Sequence, residues 1–462
     1  MLRSSDYPIF AASRPSEQSG SSDWLARCAE LVHDFALEPV NPGILLKGTT
    51  ITMPTRKTPE FRGNRNLKRL SRISQSKQQE EVERSLLLGL EGAASIVDRT
   101  ISCFSRGHQP AFAGINTFMK APYCEDVRKV SNYEAAFVGV PFDTATTYRP
   151  GARFGPQAVR RISALYDGYS IDGAVDIYEE LDFCDVGDVF VIPGNIEKTF
   201  DQVTKAISHI YTSGAFPIIC GGDHSLGFPN VRGIAPHVDG NVGIVHLDRH
   251  LDIQEKDMDE RMHTTPWYWT THEPSATTHR DHSHMHDVGL PNCRPENLVQ
   301  VGIGGWYGSR PGAIVARRRG TSVLTMTDIT ELGPRKAAEV ALELAWKGCK
   351  AVYLSFDIDS IDPGFAPGTG SPEPGGLLPR EALEMVRLIA REGLCGMEVV
   401  EVAPPYDVNE NTAQLACRVM LDVLGTMIVE GKLGHRSRVM KTVSTASRKP
   451  SPRKPRGAKK SS

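Results

Sequence analysis

Val242-Gly243-Ile244-Val245-His246-Leu247-Asp248-Arg249-His250-Leu251-Asp252 is a short apolar run that ends in three metal-binding side chains. Its apolar part reads as a strand buried on both faces. Two further segments follow the same pattern. Pro217-Ile218-Ile219-Cys220 leads into Gly221-Gly222-Asp223-His224-Ser225, and Ala351-Val352-Tyr353-Leu354 leads into Ser355-Phe356-Asp357-Ile358-Asp359. Residues two apart on a strand share a side, so Asp248, His250 and Asp252 are expected to face one cavity, as are Asp357 and Asp359. In an open parallel sheet, ligands gather at the carboxyl ends of the strands. Three such ends deliver the imidazoles of His224 and His250 and the carboxylates of Asp248, Asp252, Asp357 and Asp359. That donor set suits a pair of divalent cations, and its four negative charges balance two dications. Singly, an Asp-x-Asp is commonly a solvated turn, and a histidine after a strand is commonly a packed edge residue. Three such runs in order, each after a strand, argue for a binuclear centre. Water held by two dications loses a proton near neutral pH, so the expected chemistry is metal-dependent hydrolysis.

Outward from these runs, strand-like and helix-like stretches alternate from Tyr133 onward. Strands are expected at 135–138, 298–302, 323–326 and 396–402, and helices at 156–166, 196–213, 334–347, 379–392 and 411–430. This alternation predicts βαβ units: an α/β fold with a mainly parallel sheet between two helical layers. The glycines of Gly302-Ile303-Gly304-Gly305-Trp306-Tyr307-Gly308 lack the acidic partner and opening helix of a dinucleotide fingerprint. Three regions are expected: an N-terminal extension, 1–130, partly ordered; a catalytic domain, 131–433; and a basic, Pro-rich tail, 434–462, that cannot build a core. Within the extension, 23–37 carries apolar residues at helical spacing.

The 462 residues carry 53 Lys and Arg against 55 Asp and Glu, a balance that argues against nucleic acid as a specific partner. The nine cysteines are scattered, without a Cys-x-x-Cys pair, which suits a reducing compartment. No apolar run is expected to approach the roughly 20 residues of a membrane span. Met1-Leu2-Arg3-Ser4-Ser5 only faintly suggests a transit peptide, and Asp6 and Glu17 argue against one, so the cytoplasm is expected ahead of the mitochondrion. Between Thr270 and Asp287 stand five histidines, His272, His279, His282, His284 and His286. A polar surface loop is the expected reading, with metal collection as the alternative.

The chain resembles the ureohydrolases (arginases, agmatinases and relatives) from about Tyr133 to Leu433. The resemblance is carried by Gly139-Val140-Pro141-Phe142-Asp143, Arg149-Pro150-Gly151-Ala152-Arg153-Phe154-Gly155-Pro156, the three metal runs, Pro367-Gly368-Thr369-Gly370 and Glu398-Val399-Val400-Glu401-Val402. It implies an arginase-like three-layer fold, trimers or hexamers, and a small guanidino substrate. It also implies that Asp248 and Asp357 bridge two metals, that His224 and Asp252 complete one site, and that His250 and Asp359 complete the other. Glu401 matches the family's guanidinium-binding glutamate, as a carboxylate can pair with two guanidinium N–H groups. His263, in Met262-His263-Thr264-Thr265-Pro266, matches the histidine that positions substrate or relays a proton. Asp252 is expected to accept the proton of the attacking water.

Two departures narrow the resemblance. Arg249 replaces the usual alanine between ligands, and Thr264 replaces the usual small residue after His263. The stretches 248–267 and 302–306 resemble the guanidine hydrolase branch, which acts on free guanidine to give urea and ammonia and favours nickel, manganese being the alternative. Arg249, Trp267, Tyr268, Trp269 and Trp306 together suggest a closed cavity without room for an aliphatic tail. The competing readings are an agmatinase-like or guanidino-acid hydrolase, which would share the metal set, and a catalytically inactive binding subunit.

Overall fold

The computed structural model describes residues 111–273 and 289–435. The candidate helix at 23–37, the four histidines from His279 to His286 and nearly all of the basic tail lie outside the described residues.

Eight strands make the sheet: β1 Ala135–Gly139, β2 Phe183–Asp188, β3 Phe216–Cys220, β4 Asn241–Leu247, β5 Leu298–Ile303, β6 Ser322–Thr325, β7 Cys349–Asp357 and β8 Gly396–Val400. Their spatial order is β2-β1-β3-β8-β7-β4-β5-β6, and every neighbouring pair is parallel. The helices that cover it are α1 Gly155–Ser163, α2 Ile196–Thr212, α3 Gly227–Ile234, α4 Arg310–Arg319, α5 Met326–Leu332, α6 Pro334–Trp346, α7 Pro379–Ala390 and α8 Asn411–Val429.

Alternation along each strand splits the core in two. Phe137, Ile218, Val245, Leu247, Leu354, Phe356, Met397 and Val399 face the layer that holds α1, α6, α7 and α8. Ala136, Val138, Ile219, Val242, Ile244 and Tyr353 face α2, α3 and α4. A strand that must bury both faces cannot alternate apolar with polar, which is why these segments read as unbroken apolar runs.

The sequence missed β2, α3, α4 and α5. The β2 segment, Phe-Cys-Asp-Val-Gly-Asp, carries two aspartates and a glycine at φ 80°: it is an edge strand whose last residues are not buried, and its one buried carboxylate, Asp185, is paired with Arg160. Helix α4 holds four arginines among ten residues and shows itself mainly through its ends, with Ser309 capping the Gly312 N–H and left-handed Gly320 closing it. One expectation needs correction. Helix α8 is long and apolar enough, by length and composition, to cross a membrane. It packs on α1 and α7, and 67% of its apolar window is buried inside the domain, so its composition is that of a core helix.

Candidate metal centre

The four central strands, β3, β8, β7 and β4, point their carboxyl ends to one place, and each hands over part of the site. His224 follows β3, Glu401 follows β8, Asp357 ends β7 with Asp359 just beyond it, and Asp248, His250 and Asp252 follow β4. All six expected donors and both expected catalytic partners therefore meet at the crest of the sheet. The local geometry differs from the expected strand alternation. The 248–252 run lies beyond β4 in irregular backbone, with Asp252 at φ 45°, and Asp359 sits on a single 3-10 turn, Ile358–Ser360. Glu401 is likewise left-handed, at φ 62°. Non-glycine residues rarely adopt this conformation, and they do so where surrounding contacts hold them to a task.

His224 is fully buried, and its Nδ1 lies 3.0 Å from Asp248 Oδ2, 3.0 Å from Asp252 Oδ2 and 2.9 Å from Asp357 Oδ2. Its other nitrogen, Nε2, is 2.9 Å from Ser355 Oγ. With Nε2–H donated to Ser355, the Nδ1 lone pair points at three carboxylate oxygens, an arrangement that is repulsive unless a proton or a metal cation stands among them. Nδ1 makes no well-directed hydrogen bond. His250 Nδ1 lies 3.4 Å from Asp248 Oδ1 and 3.2 Å from Asp359 Oδ2. Asp248 thus offers one oxygen toward each histidine. Backbone N–H groups fix the remaining orientations: Asp357 Oδ1 accepts from Asp359 N at 2.8 Å. This chemistry fits two divalent cations.

Burial and charge show what the cluster does with protons when no cation balances it. Burial raises Asp357 well above the usual carboxylate range, and repulsion from Asp359 and Asp248 adds to the shift. Asp359 is raised to about 6 by burial and by Asp248, against the pull of His250. Burial alone would lower His224 and His250, but their carboxylate neighbours raise both well above the usual histidine range. These protons must leave for coordination. Metal uptake at pH 6 is therefore expected to release more than one proton per chain, and affinity is expected to rise with pH. Calorimetry in buffers of different ionisation enthalpy measures the release; uptake at pH 6 without net proton release would contradict the cluster's reading as a metal centre.

Beside the cluster, Glu401 Oε1 accepts from His224 N at 2.9 Å and lies 3.1 Å from His263 Nδ1. The far nitrogen of His263, Nε2, lies 2.8 Å from Thr147 Oγ1 and 3.2 Å from Thr147 N. Burial would depress His263, but the hydrogen bond and charge of Glu401 outweigh it and raise the imidazole to about 9. A cavity of about 420 Å3 opens over these groups, lined among others by Thr147, Arg149, His250, Asp252, His263 and Tyr307.

Two side chains of the site escaped the sequence reading. His246 is fully buried and its Nε2 lies 2.7 Å from Asp248 Oδ2, where it orients that carboxylate. The signal was present: a histidine two residues before Asp248 in an otherwise apolar strand. Thr147 lies in the segment between the two quoted entry motifs, and only the fold brings it to His263.

The closed-cavity expectation is corrected. Trp267 is fully buried behind the ligands, edge-on to His224, and Trp306 is 95% exposed. Trp269 donates its Nε1–H to Glu260 O away from the cavity. Arg249 is buried and turned aside, donating Nη1–H to Gly302 O at 3.0 Å and Nη2–H to Pro374 O at 3.3 Å. None of these four lines the cavity, nor does Tyr268, which is buried.

A parallel α/β sheet with a histidine–aspartate cluster across its central strand ends is an α/β protein with a candidate metal centre. The arginase-family model matches residues 133–425, and the chain belongs to the arginase family. It is 37% identical over 295 residues to the mitochondrial agmatinase of Gallus gallus, covering 63% of this chain and 80% of that one. It is 35% identical over 294 residues to the mitochondrial guanidino acid hydrolase of Homo sapiens, covering 63% and 77%. The solved structure of proclavaminate amidino hydrolase from Streptomyces clavuligerus superposes with a TM-score of 0.60 at 33% identity, over 70% of this chain and 100% of that one.

Proposed function

We propose that this chain is a two-metal hydrolase that releases urea from a small guanidino compound, with free guanidine as its substrate. The observation that carries the reading is the Glu401–His263 pair beside the cluster. Glu401 spends Oε1 on His224 N and His263 Nδ1, which leaves Oε2 for a guanidinium N–H. The agmatinase and guanidino acid hydrolase likenesses support the guanidino class, and the branch motifs at 248–267 and 302–306 support free guanidine within it.

In this reading His224, Asp248, Asp252 and Asp357 hold one ion, and His250, Asp359 and the shared Asp248 and Asp357 hold the other. Nickel is proposed ahead of manganese. Bound there, the pair of ions would supply a water acidic enough to attack near neutral pH. The protein's own groups do the rest. Glu401 holds the planar cation so that its central carbon faces the cluster, Asp252 accepts the proton of the attacking water, and His263 supplies a proton to the departing nitrogen. We also propose 131–433 as the catalytic domain, 1–130 as an extension and 434–462 as a tail, with self-association into trimers or hexamers in the cytoplasm.

A second reading, a guanidino-acid hydrolase, is favoured by Arg149. Its guanidinium lines the cavity, held by Nε–H to Gly370 O at 3.1 Å and stacked 4.7 Å from the Tyr406 ring, and no carboxylate pairs with it among the described residues. It would meet a substrate carboxylate. Urea release with nickel or manganese loaded, compared for guanidine, agmatine, arginine and 4-guanidinobutyrate, separates these. Guanidine is expected to give the highest kcat/KM. Guanidinobutyrate in first place would establish the second reading, agmatine or arginine in first place would overturn the guanidine assignment, and no urea from any would leave an inactive subunit.

A further inference from the structure

Resting on the guanidino-hydrolase reading, we propose that Arg249 and Glu373 are positioning residues that together pin the Gly302–Ser309 segment as one wall of the substrate cavity. Tyr307 is the residue by which that wall meets the substrate.

The wall needs pinning because beyond Ile303, where β5 ends, no strand or helix holds it until α4. It carries Gly302, Gly304, Gly305 and Gly308 among eight residues, with Gly302 at φ 94° and Gly305 at φ 78°. Such a segment has the widest conformational freedom a chain allows. At the site Tyr307 lies parallel to His250, ring centroids 6.2 Å apart with 9° between planes, and Tyr307, Gly308 and Ser309 line the cavity.

Two buried charges hold it there. Glu373 is 5% exposed, and its carboxylate accepts the backbone N–H groups of Trp306 and, at 3.3 Å, Tyr307. The fit is close: a Cβ on Gly305 would stand 2.1 Å from Glu373 Oε1. From the other side, Arg249 grips Gly302 O and Pro374 O with two nitrogens of its planar fork, and its own carbonyl accepts from Gly304 N at 3.1 Å. Among the described residues these charges are spent on backbone groups of the wall and of the Glu373–Pro374 turn. Arg249 stands between two expected metal ligands, so the wall is tied directly to the ligand run. The arginine that replaces the family's usual alanine thus turns away from the cavity and fixes its side.

Arg249→Ala and Glu373→Gln, each in the full chain, test this. The glutamine keeps the shape but offers one acceptor where the carboxylate offers two. Metal content, kcat and KM on guanidine and on 4-guanidinobutyrate, and amide hydrogen exchange at Trp306 and Tyr307 are measured. Each variant is expected to retain two metal equivalents, to raise KM at least ten-fold on the better substrate with kcat within about three-fold, and to exchange these amides at least ten-fold faster. The double variant is expected to be little worse than either single one, since both loosen one element. Should Arg249→Ala fail to fold, Arg249→Lys, which keeps the charge without the two-pronged fork, is expected to show the same split. Wild-type KM with wild-type exchange would overturn the proposal, as would loss of metal, which would make the pair supports of the ligand run. If the unmodified chain releases urea from neither compound, the functional reading fails, and exchange alone decides: faster exchange supports the clamp and unchanged exchange overturns it.

Discussion

Asp248→Asn is expected to abolish turnover and to release both metal ions. The two oxygens of Asp248 face different histidines, Oδ2 toward His224 Nδ1 at 3.0 Å and Oδ1 toward His250 Nδ1 at 3.4 Å. Asparagine offers one oxygen and one N–H2 in that place, so whichever way it turns, one site meets a donor in place of an acceptor. The negative charge that both dications share is also lost. His246, which holds Oδ2 at 2.7 Å, would keep the side chain in place and prevent it from swinging to serve one ion alone. Asp357→Asn is expected to act in the same direction, whereas His224→Ala is expected to loosen mainly the ion on the His224 side. Metal analysis after gel filtration checks this, with circular dichroism to show that the fold survives. Two tightly held ions in the Asp248→Asn protein would sink the shared-ligand assignment.

Glu401→Gln tests the substrate side. Glutamine retains an acceptor for the His224 N–H but loses the charge that would pair with a guanidinium. Losing a buried, hydrogen-bonded partner of a charge costs about 2–5 kcal/mol, which is roughly thirty-fold to a few thousand-fold in kcat/KM. Both metal ions are expected to stay, since Glu401 is not among the donors that surround His224 Nδ1 or His250 Nδ1. The imidazole of His263 loses its principal charge partner as well, so its raised pKa should fall toward the ordinary histidine value. Titration of His263 by NMR in the metal-free protein reads that fall. Near wild-type kcat/KM would show that Glu401 serves the fold alone.

The metal runs were legible because coordination restricts residue types severely and each run is local in sequence. The sheet was legible for a related reason: strands buried on both faces must be continuous apolar stretches, as at 242–245 and 351–354. What escaped depends on contacts between distant segments. Nothing near Thr147 announces that it will meet His263 more than a hundred residues later, and Glu373 shows its purpose only when Trp306 and Tyr307 lie against it. The orientation of Arg249 was also beyond reach. Its place between two ligands suggested an inward charge, yet two backbone carbonyls turn it the other way. Trp306 illustrates the same limit from the opposite side, since an aromatic next to a strand end can stand almost wholly in solvent.

The central claim is a hydrolase that needs two metal ions at one cluster to form urea. Metal-free protein titrated with nickel or manganese, with urea release from guanidine read at each addition, tests it most directly. The account predicts no urea without metal, a rise that saturates at two equivalents per chain, and equal amounts of urea and ammonia. Full activity at one equivalent, or urea formed by protein stripped of metal, would contradict it.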